Sequence, residues 1–243
     1  MKPLVLLHGW GMCPAVFSEL AACLAPDYCV HAVPLPGYDG APDCMPYTVD
    51  AMAHAVSGSA PARCLVAGWS LGAQVALEWA RTVPEQVERL VLMGATPCFA
   101  RRDDWTAAMD PALLRGFATA LGCDREGTLK RFVSLQAQGD RKPKKVARAL
   151  RACVTTERVA DVGVLERGLE ALLNCDLRGD LRAITQDVLV IHGECDALVP
   201  PAAGDYLVRT LPHARVMRIP GAAHAPFITD PAAVAESMAA FFA

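Results

Sequence analysis

Gly68-Trp69-Ser70-Leu71-Gly72 sets a serine between two glycines in the order G-x-S-x-G. Cys64-Leu65-Val66-Ala67 before it is apolar and strand-like, and Ala73 to Ala80 after it reads as a helix. A serine on so sharp a strand-to-helix turn sits in strained backbone, with its hydroxyl above the sheet at a helix N-terminus, where negative charge is favoured. The two glycines remove side chains that would collide with neighbouring backbone. Such a serine can attack a carbonyl carbon if the chain also supplies a base, an acid to orient that base, and donors for the oxyanion. Alone, the pentapeptide also describes an ordinary helix N-cap.

The base should be a histidine on a loop after the last strand. Of six histidines, His224 has that setting, in Gly221-Ala222-Ala223-His224-Ala225-Pro226-Phe227 between the apolar run 215–219 and the final helix. His31, His54 and His213 have no such context. The acid should follow a strand lying between serine and base. The run Val188 to Ile191 ends at His192-Gly193, and Asp196 follows in a turn, with Glu194 as the nearest competitor. The place after the preceding strand, Gly94-Ala95-Thr96-Pro97, holds no carboxylate. Two backbone N–H groups must meet the oxyanion. Leu71, directly after the serine, supplies one, and Trp10 in Leu7-His8-Gly9-Trp10-Gly11 occupies the position of the other. Ser70, Asp196 and His224, in that order along the chain, together with the His-Gly loop of the first strand, predict an α/β-hydrolase with a complete triad.

The elements that must position these residues are legible as apolar runs at 3–7, 28–33, 63–68, 88–93, 187–192 and 214–219. Helix-like segments at 15–25, 48–58, 72–82 and 230–242 separate or follow them. The alternation implies a mostly parallel, doubly wound sheet. The exception is 99–182, which reads as helix-like throughout. It is expected to be a helical lid inserted between the core segments 1–98 and 183–243, not an independent domain.

Length and composition agree. A chain of 243 residues, 53% hydrophobic, is long enough for one such domain, and its net charge is −3. No apolar stretch is long enough to span a membrane, and the N-terminus lacks a signal-peptide layout, so a cytoplasmic address is expected, and the chain is taken to be a monomer. The ten cysteines form no C-x-x-C pair, which argues against zinc and thioredoxin-like chemistry and for small core residues; Cys195 alone stands near the presumed acid. The expected chemistry needs neither metal nor cofactor. Charge is uneven: residues 99–182 carry a net +4 against −7 for the remainder, and nine basic residues fall within 125–151. A run of this kind is often a solvated face. On a segment guarding the substrate entrance it instead suggests an acidic partner. Nucleic acid is disfavoured by the mildly acidic whole and the lack of an aromatic-basic motif.

The chain resembles the pimeloyl-[acyl-carrier protein] methyl ester esterases of biotin synthesis, the BioH family. The shared residues are Leu6-Leu7-His8-Gly9-Trp10-Gly11, Gly68 to Gly72, Pro97-Cys98-Phe99 with Trp105, Arg131-Phe132 with Leu135-Gln136, Gly168-Leu169-Glu170 with Asp176-Leu177-Arg178, and Ala223-His224-Ala225-Pro226-Phe227. They include the lid, where generic hydrolases diverge. The resemblance implies hydrolysis of the methyl ester while the pimeloyl group is still on its acyl carrier protein. It implies substrate contacts from Trp10, Ser70, Leu71, His224 and a turn formed by Phe132, Val133, Ser134, Leu135 and Gln136. It also carries a carrier-binding role to Arg131, Lys144 and Arg148, while a fourth basic position of the family falls on Gly127, near Arg125 and Lys130. The competing readings are a carboxylesterase or thioesterase of broad range that needs no carrier, and a non-catalytic binding protein on the same fold.

Overall fold

Six parallel strands form one sheet in the computed structural model of the protein, which describes residues 1–154 and 160–243. They are β1 (Lys2–Leu7), β2 (Tyr28–Val33), β3 (Cys64–Trp69), β4 (Val87–Met93), β5 (Asp187–Gly193) and β6 (Ala214–Ile219). Each lies within a residue of the apolar run that predicts it. The order across the sheet is β2-β1-β3-β4-β5-β6. Every residue of β3 is buried, as are the last four of β1 and the last six of β5. Helices cover both faces of a parallel sheet, so its inner strands read as continuous apolar runs with no alternation. At the two edges, β2 and β6 keep half-exposed positions.

The helices are α1 (Ser18–Leu24), α2 (Val49–Ser59), α3 (Leu71–Thr82), α4 (Pro111–Cys123), α5 (Arg125–Ala137), α6 (Pro143–Val154), α7 (Val162–Asn174), α8 (Pro201–Thr210), α9 (Pro226–Thr229) and α10 (Pro231–Phe242). Their starts are chemically marked. Thr48, Asp110, Asp161 and Asp230 each accept a hydrogen bond from a backbone N–H of the first turn, and Pro111 and Pro231 follow their caps with a pre-set φ. Right-handed crossovers put α2 and α3 on one face and α1 on the other, where α10 packs against it.

The chain turns from β1 outward to β2, then returns to add β3 on the other side of β1. The loops leaving β1 and β3 therefore diverge, and that switch point is where a doubly wound sheet opens a crevice. The loop after β1 holds Trp10, and the turn after β3 holds Ser70.

All six strands fall within 1–98 and 183–243, while α4 to α7 occupy the segment between. Residues 155–159 of that segment lie outside the described residues. The expectation of helix throughout 99–182 fails at both ends, at 175–180, where Asp176 bridges to Cys98, and at 99–109. Residues 99–109 form turns with isolated bridges, Ala100 with Met109 and Arg102 with Trp105. The Trp105 indole donates to the Cys98 carbonyl at 2.8 Å, and Arg102 and Trp105 exchange backbone hydrogen bonds. These bonds close the stretch into a compact loop, and Asp110-Pro111 then starts α4. Along the rest, α4 packs on α5 and α7, α5 on α6, and α6 rests on α9 and on the short 3-10 turn at Pro14–Phe17.

Candidate active site

Ser70 has φ +56° and ψ −117°; apart from glycines, only Asp39 joins it at positive φ among the described residues. A sparsely populated conformation of this kind costs a non-glycine residue roughly 1–3 kcal/mol. The surrounding backbone enforces it: the Ser70 N–H donates to the Met93 carbonyl at 3.1 Å, and Ser70 O accepts from Ala73 and Gln74 in the first turn of α3. A Cβ on Gly68 would overlap the Gly72 carbonyl, and one on Gly72 would overlap the carbonyls of Leu7 and His8. Both motif glycines are thus required by close approach of backbone to backbone. Leu71 opens α3, so its N–H has no acceptor within the helix.

His224 and Asp196 meet. Nδ1 of His224 lies 2.8 Å from Oδ2 of Asp196, both side chains being essentially buried. The other carboxylate oxygen, Oδ1, accepts from the N–H groups of Leu198 at 3.0 Å and Val199 at 2.8 Å. Asp196 is therefore held on both sides, and Oδ2 fixes the imidazole with its proton on Nδ1. His224 Nε2 is buried and has no hydrogen-bond partner among the described residues, which leaves a lone pair for proton abstraction. No hydrogen bond joins it to Ser70 in this arrangement. Glu194, the competing acid, is exposed.

Contacts with Trp69, Gly94 and Gln136 hold His224 in place. The Trp69 indole N–H donates to the His224 carbonyl at 2.8 Å, and the two rings lie 5.6 Å apart. Gly94, at φ +50°, packs so closely that a Cβ there would sit 2.9 Å from the His224 carbonyl oxygen and 3.2 Å from the imidazole. The His224 N–H donates to Gln136 O at 3.3 Å.

The loop after β1 lies alongside. A Cβ on Gly9 would stand 3.2 Å from Ser70 Cβ. His8 is buried; its Nδ1 bonds Gly9 O at 2.9 Å and its Nε2 accepts from Leu35 N at 3.1 Å, the pattern of a neutral ring. Burial pushes its pKa down to about 4. His192 is also buried and lowered, chiefly by desolvation, with its Nε2 on Val199 O at 2.9 Å. Trp10 donates its indole N–H to Leu165 O of α7 at 2.8 Å and stands edge-on to Phe132 of α5, ring centres 4.8 Å apart.

The expected turn at Phe132 to Gln136 is helical, the C-terminal part of α5. Helical spacing splits the five residues. Phe132, Val133 and Gln136 are buried, Leu135 is half-buried, and Ser134 is exposed with its hydroxyl on Lys130 O. Only the buried face of α5 is turned toward Trp10 and His224.

Arg131, Lys144 and Arg148 are all exposed but do not line a single groove. Arg131 and Lys144 line one groove of about 790 Å³ between α5 and α6, together with Arg151, Phe117 and Leu135. Arg148 lines another of about 530 Å³ with Glu19, Lys145 and Phe227. Arg151 was not among the residues carried over, although its seven-residue spacing from Lys144 marks the same helix face. Within the basic run Lys130 pairs with Glu126 at 2.5 Å, Lys145 with Glu19 at 2.6 Å and Arg141 with Asp230 at 2.6 Å, while Arg125 reaches the Ala160 carbonyl and Arg131 donates to the Thr128 hydroxyl at 2.9 Å. Cys195 is exposed, and its N–H donates to Ala222 O at 2.9 Å.

Residues 4–237 match the model of the alpha/beta hydrolase family. Among solved structures, an esterase from Exiguobacterium antarcticum superposes with a TM-score of 0.89 over 99% of this chain and 91% of its own, at 22% identity. An enol-lactonase from Burkholderia xenovorans gives 0.84 over 99% and 91%, at 20% identity. These likenesses establish the fold. Sequence relatives are nearer: the pimeloyl-[acyl-carrier protein] methyl ester esterase of Aromatoleum aromaticum is 40% identical over 94% of this chain and 93% of its own length. That of Nitrosomonas europaea is 38% identical over 94% and 90%. The chain belongs to the alpha/beta hydrolases and, within them, to the pimeloyl-[acyl-carrier protein] methyl ester esterase family.

Proposed function

We propose that this protein is a serine esterase that hydrolyses the methyl ester of pimeloyl-[acyl-carrier protein] methyl ester, releasing methanol and pimeloyl-[acyl-carrier protein] for biotin synthesis. The observation that carries the chemistry is the buried pair Asp196–His224 at 2.8 Å, with Nε2 of His224 unengaged beside the strained serine turn. In this reading His224 Nε2 takes the Ser70 proton as Oγ attacks the ester carbonyl. The N–H groups of Trp10 and Leu71 hold the tetrahedral oxyanion. Collapse breaks the C–O bond to methanol, which leaves with the proton from His224. Water, deprotonated by the same nitrogen, then cleaves the acyl-enzyme and restores Ser70.

The substrate class rests on family membership and on the charged helices α5 and α6. We read residues 99–182 as a lid, with Trp10, Leu71 and the buried face Phe132, Val133 and Gln136 around the acyl chain, and Leu135 at its border. We read the groove bearing Arg131, Lys144 and Arg151 as the docking surface for an acidic carrier protein, and the reaction as a cytoplasmic one. Arg148, on the neighbouring groove, extends the positive surface rather than completing the same pocket.

The test is incubation with pimeloyl-carrier methyl ester and mass spectrometry of the product. Loss of the methyl group with the thioester intact is expected; cleavage mainly at the thioester overturns the substrate assignment. Charge reversal at Arg131 and Arg151 should depress turnover of the carrier-linked ester far more than that of a short free ester. Equal losses would leave an esterase that needs no carrier.

A further inference from the structure

Asp140 is a buried carboxylate outside the triad, in the turn between α5 and α6, with only 6% of its surface exposed. Its Oδ1 accepts from the Lys142 N–H at 2.7 Å. Its Oδ2 accepts from the Ala223 N–H at 2.8 Å and from the Thr229 hydroxyl at 2.6 Å. No lysine or arginine forms an ion pair with it among the described residues. Burying a carboxylate without a cation is costly, and three hydrogen bonds are what make it tolerable here.

Two of those bonds reach across to the segment carrying His224, and they are reinforced. Arg141 N donates to Gly221 O at 2.7 Å, Gln136 O accepts from His224 N at 3.3 Å, and Lys142 Nζ reaches Thr229 O at 3.0 Å. Residues 136–142 therefore clasp 221–229 from both sides of His224. Asp140 is the one side chain of the clasp that binds both arms of the loop, at Ala223 immediately before the histidine and at Thr229 in α9 beyond it.

We propose that Asp140 is a positioning residue for His224, setting the direction in which Nε2 points at Ser70 without touching substrate or imidazole. The proposal rests on the reading of Ser70 and His224 as nucleophile and base. Ala223 N–H belongs to the residue preceding the histidine, so a shift there is delivered directly to the ring. A misplacement of about 1 Å in such a site costs on the order of a hundredfold in rate.

Asp140→Ala, Asp140→Asn and Thr229→Val would be compared with the parent and with Ser70→Ala, using 4-nitrophenyl acetate. Active sites would be titrated with a fluorophosphonate, and the His224 Nδ1 proton followed by NMR. Asp140→Ala is expected to lower kcat per titrated site tenfold or more with KM within twofold, and to shift or broaden the Nδ1 resonance. Asp140→Asn, which keeps one acceptor, should fall between, and Thr229→Val should lose two- to threefold. A lower melting temperature with unchanged kcat and an unchanged His224 resonance in Asp140→Ala would reduce Asp140 to a structural staple and overturn the proposal. If that variant does not fold, Asp140→Asn and Thr229→Val decide by the same two readouts. Full activity in Ser70→Ala would instead refute the nucleophile, while the His224 resonance still reports on Asp140 alone.

Discussion

The indole N–H of Trp69 donates to the carbonyl oxygen of His224 at 2.8 Å, so the residue before Ser70 holds the backbone of the histidine proposed as its base. Trp69 is fully buried, and its ring also meets Phe227 edge-on at 5.1 Å. Trp69→Phe would keep most of the packing and orphan a buried carbonyl. Stability should fall by about 1–2 kcal/mol, and kcat should drop several-fold as the histidine loop relaxes. Urea denaturation and steady-state kinetics on one preparation check both.

Asp196→Asn separates orientation from folding. An asparagine can still offer Oδ1 to the Leu198 and Val199 N–H groups, so the turn should survive. Its amide nitrogen would face Nδ1 of His224 and favour the wrong tautomer. The expected loss in kcat is about 10⁴-fold with a native circular-dichroism spectrum. A loss of tenfold or less would remove Asp196 from its assigned role.

His8 should make the fold acid-sensitive. It is neutral in the folded state down to about pH 4, whereas the unfolded chain protonates it near 6.5. Above pH 6.5 both states are neutral and nothing is gained or lost. Between 6.5 and 4 the unfolded state binds the extra proton, so stability falls with pH, and the decline from this group ends below about 4. The full effect is about 3 kcal/mol. Buried His192, lowered in the same direction, adds to it. Chemical denaturation from pH 7 to 4 should show a steep decline that His8→Gln makes shallower.

Gly168→Ala sets two effects against each other. Alanine is the better helix former by about 1 kcal/mol. Its Cβ, however, would stand 2.7 Å from Cδ1 of Trp10, whose ring is boxed by Phe132 and tied to Leu165. Overpacking of that kind costs about 1–3 kcal/mol, so the variant should be less stable, with reduced kcat as the Trp10 loop shifts. Gly116→Ala, which meets nothing within 4 Å, should instead be neutral or stabilising. Melting temperatures of the pair give the comparison.

The strands were legible because a parallel sheet buried on both faces leaves unbroken apolar runs such as Leu4 to Leu7 and Val188 to Ile191. Asp196 could be preferred to Glu194 because a turn after a strand is a local feature, and the structure buries the first and exposes the second. Legibility fails where a position depends on contacts distant in sequence. Residues 99–109 carry no signal for the bonds that Cys98 and Trp105 make. The five residues Phe132 to Gln136 look like one binding turn until helical geometry turns Ser134 away. Lys144 and Arg148 read as one basic run, but adjacent faces of α6 put them in different grooves. Asp140 looks like any loop aspartate, since its partners Ala223 and Thr229 are 83 and 89 residues away.

Trp69 and His224 are separated by 155 positions, as are Trp10 and Leu165. Contacts so remote along the chain close late in folding, because a long loop must be ordered before either end is rewarded. The serine turn can form as soon as β3, β4 and α3 assemble. His224, its proposed base, arrives only when β6 has joined the sheet and the segment after it has docked. A polypeptide growing from its N-terminus would thus carry a shaped but unarmed serine for most of its synthesis, and reactivity would appear together with the completed fold.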